Sequence, residues 1–299
     1  MEAPLITYAI PYYSGLDFLA KAIRSVVAQE NPNWLAIVVD DCGGDDAEEL
    51  VASFKDERIS FFRNDVNLGL AGNWNKALAL STTELVTLLH SDDELEPTYT
   101  DVITKLMLHY PIAVAGHCRT QVINEESHSV RSLPDEVKKI IRPRGKKDII
   151  TTGETGLLSI VKGAWIFCPA LCYRRSKLPV AGFSSAWKFV VDVDFLSRIL
   201  FDGGTIVGTT TVAYRYRRHS GNQTVLLTEA GTRFKEEISH LDLVALQSKE
   251  IGWNRVARSA RRKTIVRLHL LYQASRALLH LKFGNAGGFV TSAVTLRLR

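Results

Sequence analysis

The stretch Leu85 to Pro97, LVTLLHSDDELEP, decides the fold. Leu85 to Leu89 is a short apolar run, long enough for a buried strand and too short for a helix. The run stops at His90, Ser91, Asp92, Asp93 and Glu94, and Pro97 is suited to opening a helix because its missing N–H costs nothing there. Adjacent carboxylates at the end of a buried strand repel each other. A hard divalent cation relieves that repulsion, and such cations take one or two carboxylates together with substrate phosphates. The other reading of Asp93 and Glu94 is an acidic helix start that complements the helix dipole.

Outward from this stretch the chain alternates regularly. Strand-like runs at Leu5–Ile10, Leu35–Val39 and Ile59–Phe62 are separated by helical patterns at Leu16–Ala28, Ala47–Phe54 and Ala71–Leu80. Strand and helix alternating at short spacing predict a parallel α/β sheet. If the strands run parallel, the loops after Ile10, Val39, Phe62 and Leu89 share one edge, where open α/β sheets bind ligands. Two of those loops carry paired aspartates, Asp40-Asp41 and Asp92-Asp93.

Further on, Thr98–His109 reads as a helix and Ile112–His117 as a strand. Residues 119–163 are polar and weakly periodic, with a basic run (Lys138, Lys139, Arg142, Arg144, Lys146, Lys147) that reads as a solvated insertion. Trp165–Tyr173 is strand-like. Phe189–Phe201, FVVDVDFLSRILF, reads as a helix with Asp192 and Asp194 near its start. Thr205–Tyr214 is a β-branched strand running into the basic loop RYRRHSGNQT at 215–224. Two helical stretches, Glu229–Glu250 and Val256–Leu281, close the chain.

Composition bounds the rest. With 299 residues, 46% hydrophobic and 23% charged, the chain has room for one large domain with extras or for two. No run of about 20 apolar residues predicts a membrane span, and Met1–Pro4 lacks the basic start of a signal peptide. The four cysteines, Cys42, Cys118, Cys168 and Cys172, form no zinc pattern and read as reduced thiols of a cytoplasmic protein. None of the 32 acidic residues lies after Glu250, whereas ten of the 37 basic ones do. The net charge of +5 therefore splits into about −5 for the body and +10 for the tail. The tail reads either as a basic face for an anionic membrane surface, at the inner face of the plasma membrane, or as helices packed on the body with their arginines in solvent. An acidic body without an aromatic-rich basic stretch argues against nucleic acid.

Five segments in this order resemble the family 2 glycosyltransferases of GT-A fold: IPYY at Ile10–Tyr13, IVVDDCGGDD at Ile37–Asp46, NLGLAGNWNKAL at Asn67–Leu78, HSDD at His90–Asp93 and VDVDFLSR at Val191–Arg198. The resemblance implies a Rossmann-like, mostly parallel sheet at 1–226 with a basic helical extension at 227–299. It implies an inverting enzyme that moves a sugar from a nucleotide-diphosphate sugar, a UDP-sugar first among them, to a glycan or lipid-linked acceptor in surface polysaccharide synthesis. It also implies Mn2+ or Mg2+ as cofactor. Carried over by position, Pro11, Tyr13, Asp40, Asp41, Asn67, Asn75 and Asp93 would bind the donor. Asp92, with His90 at the family's first acidic position, would hold the metal, and His219 lies where relatives place a diphosphate or metal contact. Asp192 would be the general base, with Asp194 as alternative. His90 departs from the family pattern and keeps open a non-catalytic binding protein on the same fold. A nucleotidyltransferase is the remaining alternative, although Tyr12-Tyr13-Ser14 is not the glycine-rich basic loop it would need.

Overall fold

The computed structural model describes residues 3–131, 142–143, 148–279, 289 and 291–293. Strands β1 (Ile6–Tyr12), β2 (Trp34–Asp40), β3 (Ile59–Arg63) and β4 (Leu85–Leu88) alternate with helices α1 (Leu16–Val27), α2 (Ala47–Ser53) and α3 (Gly69–Leu80). β1 pairs in parallel with both β2 and β4, and β2 with β3. All four strands therefore end on one rim, as the alternation predicts.

The second half of the sheet is mixed. A two-residue strand β5 (Glu94–Leu95) and helix α4 (Tyr99–His109) follow the acidic loop, so the helix begins two residues after Pro97. Then come β6 (Ala115–Ile123), β7 (Ile149–Thr152), α5 (Gly153–Val161), β8 (Leu171–Arg174), α6 (Val191–Phe201) and β9 (Thr205–Arg217). The sheet order is β3-β2-β1-β4-β8-β6-β9-β5, with β7 also on β9. β8 runs antiparallel to both β4 and β6, while β6 and β9 are parallel.

Alternation along the strands sends side chains to two cores. Tyr8 and Ile10 of β1 join α1, α2 and α4 on one face. Ala9 of β1, with Val86 and Leu88 of β4, joins α3, α5, α6 and the C-terminal helices on the other. After α7 (Gln223–Glu229), which has no buried residue, those helices are α8 (Thr232–Glu250), α9 (Asn254–Arg262) and α10 (Thr264–Leu279). Phe234, Leu241, Val244, Val256, Ala260, Val266 and Leu270 from them lie in the same core as the sheet.

Several sequence expectations are corrected. The expected loop at 215–224 gives up Arg215 to Arg217 to β9, because Tyr214 and Tyr216 continue the strand alternation and β6 pairs alongside as far as Arg217. The sixth strand starts at Ala115 and reaches Ile123, because its polar residues pair with β9. The weakly periodic region holds β7 and α5, both recruited by packing against β9 and the main core. Only residues 171–173 of the strand-like 165–173 segment are strand, within β8, since Pro169 sits in a short 3-10 turn at Cys168–Ala170. Among the described residues the two terminal helical stretches hold three helices, α8 in the first and α9 and α10 in the second, which breaks at the positive-φ residue Lys263, while α7 forms before them and overlaps the expected basic loop. Within the internal basic run, Lys138, Lys139, Arg144, Lys146 and Lys147 lie outside the described residues, as do Lys282, Arg297 and Arg299 of the tail. No helix among the described residues is long and apolar enough to cross a membrane. Cys118, Cys168 and Cys172 are buried, Cys42 is half-buried, and all four are thiols.

Candidate active site at the rim of the parallel strands

The paired aspartates after β2 are buried, and each has a distinct structural task. Asp40 Oδ1 accepts from the Gly43 amide at 2.9 Å and Oδ2 from Arg63 Nε at 2.6 Å. Asp41 Oδ1 accepts from Asn64 Nδ2 at 2.8 Å and from the Leu68 amide at 2.7 Å. Its Oδ2 accepts from the Gly69 amide at 2.9 Å. Asp41 thus draws the amino end of α3 onto the rim, satisfying amides that the helix itself cannot. Asn67 assists by donating to the Asp41 carbonyl at 3.2 Å and accepting from the Gly69 amide at 3.0 Å. Asn73 accepts from Asn64 at 3.0 Å and donates to the Val39 carbonyl at 3.0 Å. Across the rim, Asp45 accepts from Tyr12 Oη at 2.7 Å and the Gly15 amide at 3.1 Å, which holds its carboxyl below the usual range. Half-buried Pro11 and exposed Tyr13 stand at the mouth of this turn.

The loop after β4 is pinned from the far end of the chain. Asp93 is buried, with Oδ1 accepting from the Arg217 amide at 2.7 Å and Oδ2 from Tyr214 Oη at 2.9 Å. Burial, and then the neighbouring Asp92 charge, push its pKa well up. Asp92 is half-buried, and its Oδ2 meets His219 Nε2 and Asn222 Nδ2, each at 3.0 Å. Burial opposes ionisation of Asp92, but the interactions led by the hydrogen bond with His219 outweigh it, so its pKa is lowered. Arg217, fully buried, donates through Nε to the Asp92 carbonyl at 2.8 Å and pairs with Glu94. The His219 ring lies tilted against Phe18 at 4.8 Å, which ties this corner to α1.

His90, Asp92 and Asp93 each offer a ligand atom within 4.8 Å of the others. His90 Nε2 is buried with no hydrogen-bond partner. A buried, unpartnered imidazole nitrogen is costly unless something binds it. Burial also lowers the His90 pKa, so the ring stays neutral, the form that binds a cation. His90 and Asp92 therefore fit a divalent cation. Asp93, with both oxygens engaged by β9, holds the loop in place.

Asp192 lies in the first turn of α6 and is half-buried. The buried Cys168 thiol is pushed up by desolvation, then by the Asp192 charge and, less, by Asp93. Both carboxylates therefore lie within electrostatic range of one sulfur. A chain of rings runs alongside: His90 to Trp74 at 5.2 Å, Trp74 to Phe183 at 5.0 Å and Phe183 to Phe195 of α6 at 4.1 Å. Asn75 clamps this chain by donating to the Phe183 carbonyl at 2.9 Å and accepting its amide at 2.8 Å. Asp194 is tied to Arg198 at 2.9 Å. The rim thus gathers Asp40, Asp41, His90, Asp92, Asp93 and His219, and Asp192 is linked to it through Cys168 and this chain of rings. Asn75 is turned to the Phe183 backbone. Asn64, Asn73, Arg217 and Asn222 were not singled out by sequence; the aromatic alternation through Tyr216 was the available signal for Arg217.

Comparison with known proteins points to one family and one fold. The sequence model of glycosyl transferase family 2 matches residues 7–167. The chain is similar to the uncharacterized protein MT1568 of Mycobacterium tuberculosis, 28% identical over 202 residues, covering 66% of this chain and 62% of that protein. Shorter similarities reach WcaA of Escherichia coli, named for colanic acid biosynthesis (34% over 96 residues, 31% of this chain and 34% of that protein). They also reach WfgD of Escherichia coli, a UDP-Glc:alpha-D-GlcNAc-diphosphoundecaprenol beta-1,3-glucosyltransferase (32% over 93 residues, 31% and 37%). The matches thus span from about a third to just over three fifths of these relatives' lengths. Among solved structures, TarS of S. aureus in complex with UDP-GlcNAc superposes with a TM-score of 0.69 at 14% identity, over 98% of this chain and 81% of that one. The mannosyltransferase PcManGT of Pyrobaculum calidifontis, in complex with GDP-Man and Mn2+, gives 0.60 at 15% identity, over 100% and 88%. At such identities the superpositions speak for the fold, which is GT-A.

Proposed function

The chain belongs to glycosyl transferase family 2, and from that premise we propose that it is an inverting glycosyltransferase. It moves a sugar from a nucleotide-diphosphate sugar, a UDP-sugar first among them, to a hydroxyl of a glycan or lipid-linked acceptor in surface polysaccharide synthesis. The observation that carries this reading is the pair His90 and Asp92 at the end of β4, with a buried imidazole nitrogen lacking a partner. UDP-GlcNAc in TarS, GDP-Man with Mn2+ in PcManGT, and the UDP-Glc and lipid diphosphate in WfgD's name support the donor and acceptor classes.

Each residue has a task in such a transfer. Pro11, Tyr13, Asp40 and Asp41 line the turn that receives the nucleoside, with Asn67 holding that turn in shape. His90 and Asp92 hold Mn2+ or Mg2+, which when bound neutralises charge on the leaving diphosphate. His219 steadies Asp92 through their 3.0 Å contact. Asp192 takes the acceptor hydroxyl's proton as that oxygen attacks the anomeric carbon and the diphosphate leaves from the opposite face.

The test is nucleoside-diphosphate release with a panel of nucleotide sugars and Mn2+. Turnover by the parent and a loss of about 10²-fold or more in Asp192→Asn is expected for a general base. Undiminished turnover in Asp192→Asn refutes the assignment. His90 favours one other reading, a donor-binding protein that does not turn over, and turnover by the parent excludes it.

A further inference from the structure

We propose that Glu236, on the C-terminal helix α8, is a positioning residue for Asp192. The inference rests on the reading of Asp192 as the base. The Glu236 carboxylate accepts from three successive backbone amides just ahead of α6: Lys188 at 3.0 Å to both oxygens, Phe189 at 2.7 Å and Val190 at 3.3 Å. Val190 is the residue on which α6 begins, and Asp192 lies two residues on.

Three features make this more than a surface contact. The amides before a helix have no partner within it, so an acceptor there fixes the entry angle of the first turn. The acceptor comes from 46 to 48 residues away in sequence, so it locks one part of the fold against another. Neighbouring turns of α8 hold the same segment on the same face: the Arg233 guanidinium lies 4.7 Å over the Phe189 ring, and His240 meets Trp187 edge-on at 6.2 Å. Residues 233, 236 and 240 follow helical spacing, so one stripe of α8 grips residues 187–190. The donor turn after β2 and the loop after β4 receive nothing from this stripe in the bonds described. Glu236 therefore governs where the base stands, separately from where the donor sits.

The experiment compares Glu236→Ala, Glu236→Gln and Asp192→Asn in the full chain. It reads kcat and acceptor KM by nucleoside-diphosphate release, and donor Kd by calorimetry. Displacing a catalytic group by about an ångström costs up to about 10²-fold. Glu236→Ala is thus expected to lower kcat by about tenfold to a hundredfold, with donor Kd within about twofold of the parent. Glu236→Gln, whose amide oxygen can still accept from the segment, recovers most of that loss. Unchanged kcat in Glu236→Ala, or donor Kd weakening in step with kcat, overturns the proposal. If Glu236→Ala does not fold, Glu236→Gln and Glu236→Asp decide it. Retained kcat in the first with a reduced kcat at constant donor Kd in the second supports positioning, and parent-like kcat in both refutes it. Full turnover in Asp192→Asn instead defeats the assignment of the base itself, whatever Glu236 does.

Discussion

At the scale of single residues, the acidic loop holds two adjacent aspartates with opposite duties. Asp93 is sealed in, bonded to Tyr214 and to the Arg217 amide, while Asp92 is half-buried beside His90 and His219. Asp93→Ala leaves two buried donors without an acceptor and is expected to lower the urea-unfolding free energy by about 2–3 kcal/mol. Asp92→Ala should stay within about 1 kcal/mol of the parent and lose the divalent-ion dependence of donor binding. Equal stability losses in the two would contradict the division. The sequence shows both carboxylates because they end a short apolar run. It cannot tell them apart, because the partners of Asp93 lie more than a hundred residues away, on a strand whose length depends on pairing with β6. Asn75 carries the same lesson. The resemblance of its segment implies donor binding, and only the folded chain brings Phe183 to its amide.

At the scale of elements, the first four strands and their helices were legible because local pattern and tertiary role agree. β1, β2 and β4 are apolar on both faces, the edge strand β3 is only partly so, each helix is amphipathic, and each crossover is short. The second half was legible only in part. β7 and α5 carry weak local periodicity and owe their existence to packing on β9 and the shared core. The turn after β2 shows how tightly one element can constrain another. A Cβ on Gly43 would stand 2.0 Å from the Tyr13 carbonyl oxygen and 2.9 Å from Asp40 Oδ1, so the loops after β1 and β2 can meet only through glycine. Gly43→Ala is therefore expected to cost about 2 kcal/mol in a thermal melt and to weaken donor binding in calorimetry. A parent-like melting temperature and affinity would show that the two loops move independently.

At the scale of the whole molecule, the C-terminal helices share a hydrophobic core with the sheet, and their basic residues follow an acidic body. If the tail meets an anionic membrane, the protein should sediment with phosphatidylserine-rich vesicles at low salt and be released by salt; no sedimentation at low salt removes that partner. Stability should also fall in mild acid. Burial lowers the His117 pKa to about 4, below the unfolded value near 6.5. The stability from keeping this ring neutral is fully present above about pH 6.5 and drains away as pH falls toward 4, on the order of 3 kcal/mol for the site. His117→Asn should flatten that part of the stability–pH curve, and an unchanged slope would place the acid sensitivity elsewhere. The central claim is that the rim grips a divalent cation against a nucleotide diphosphate through His90 and Asp92. Calorimetric titration of a nucleotide sugar, with and without Mn2+, in the parent and in Asp92→Ala tests it most directly. The account predicts tight binding only in the parent with Mn2+; equal affinity in all four titrations would contradict it.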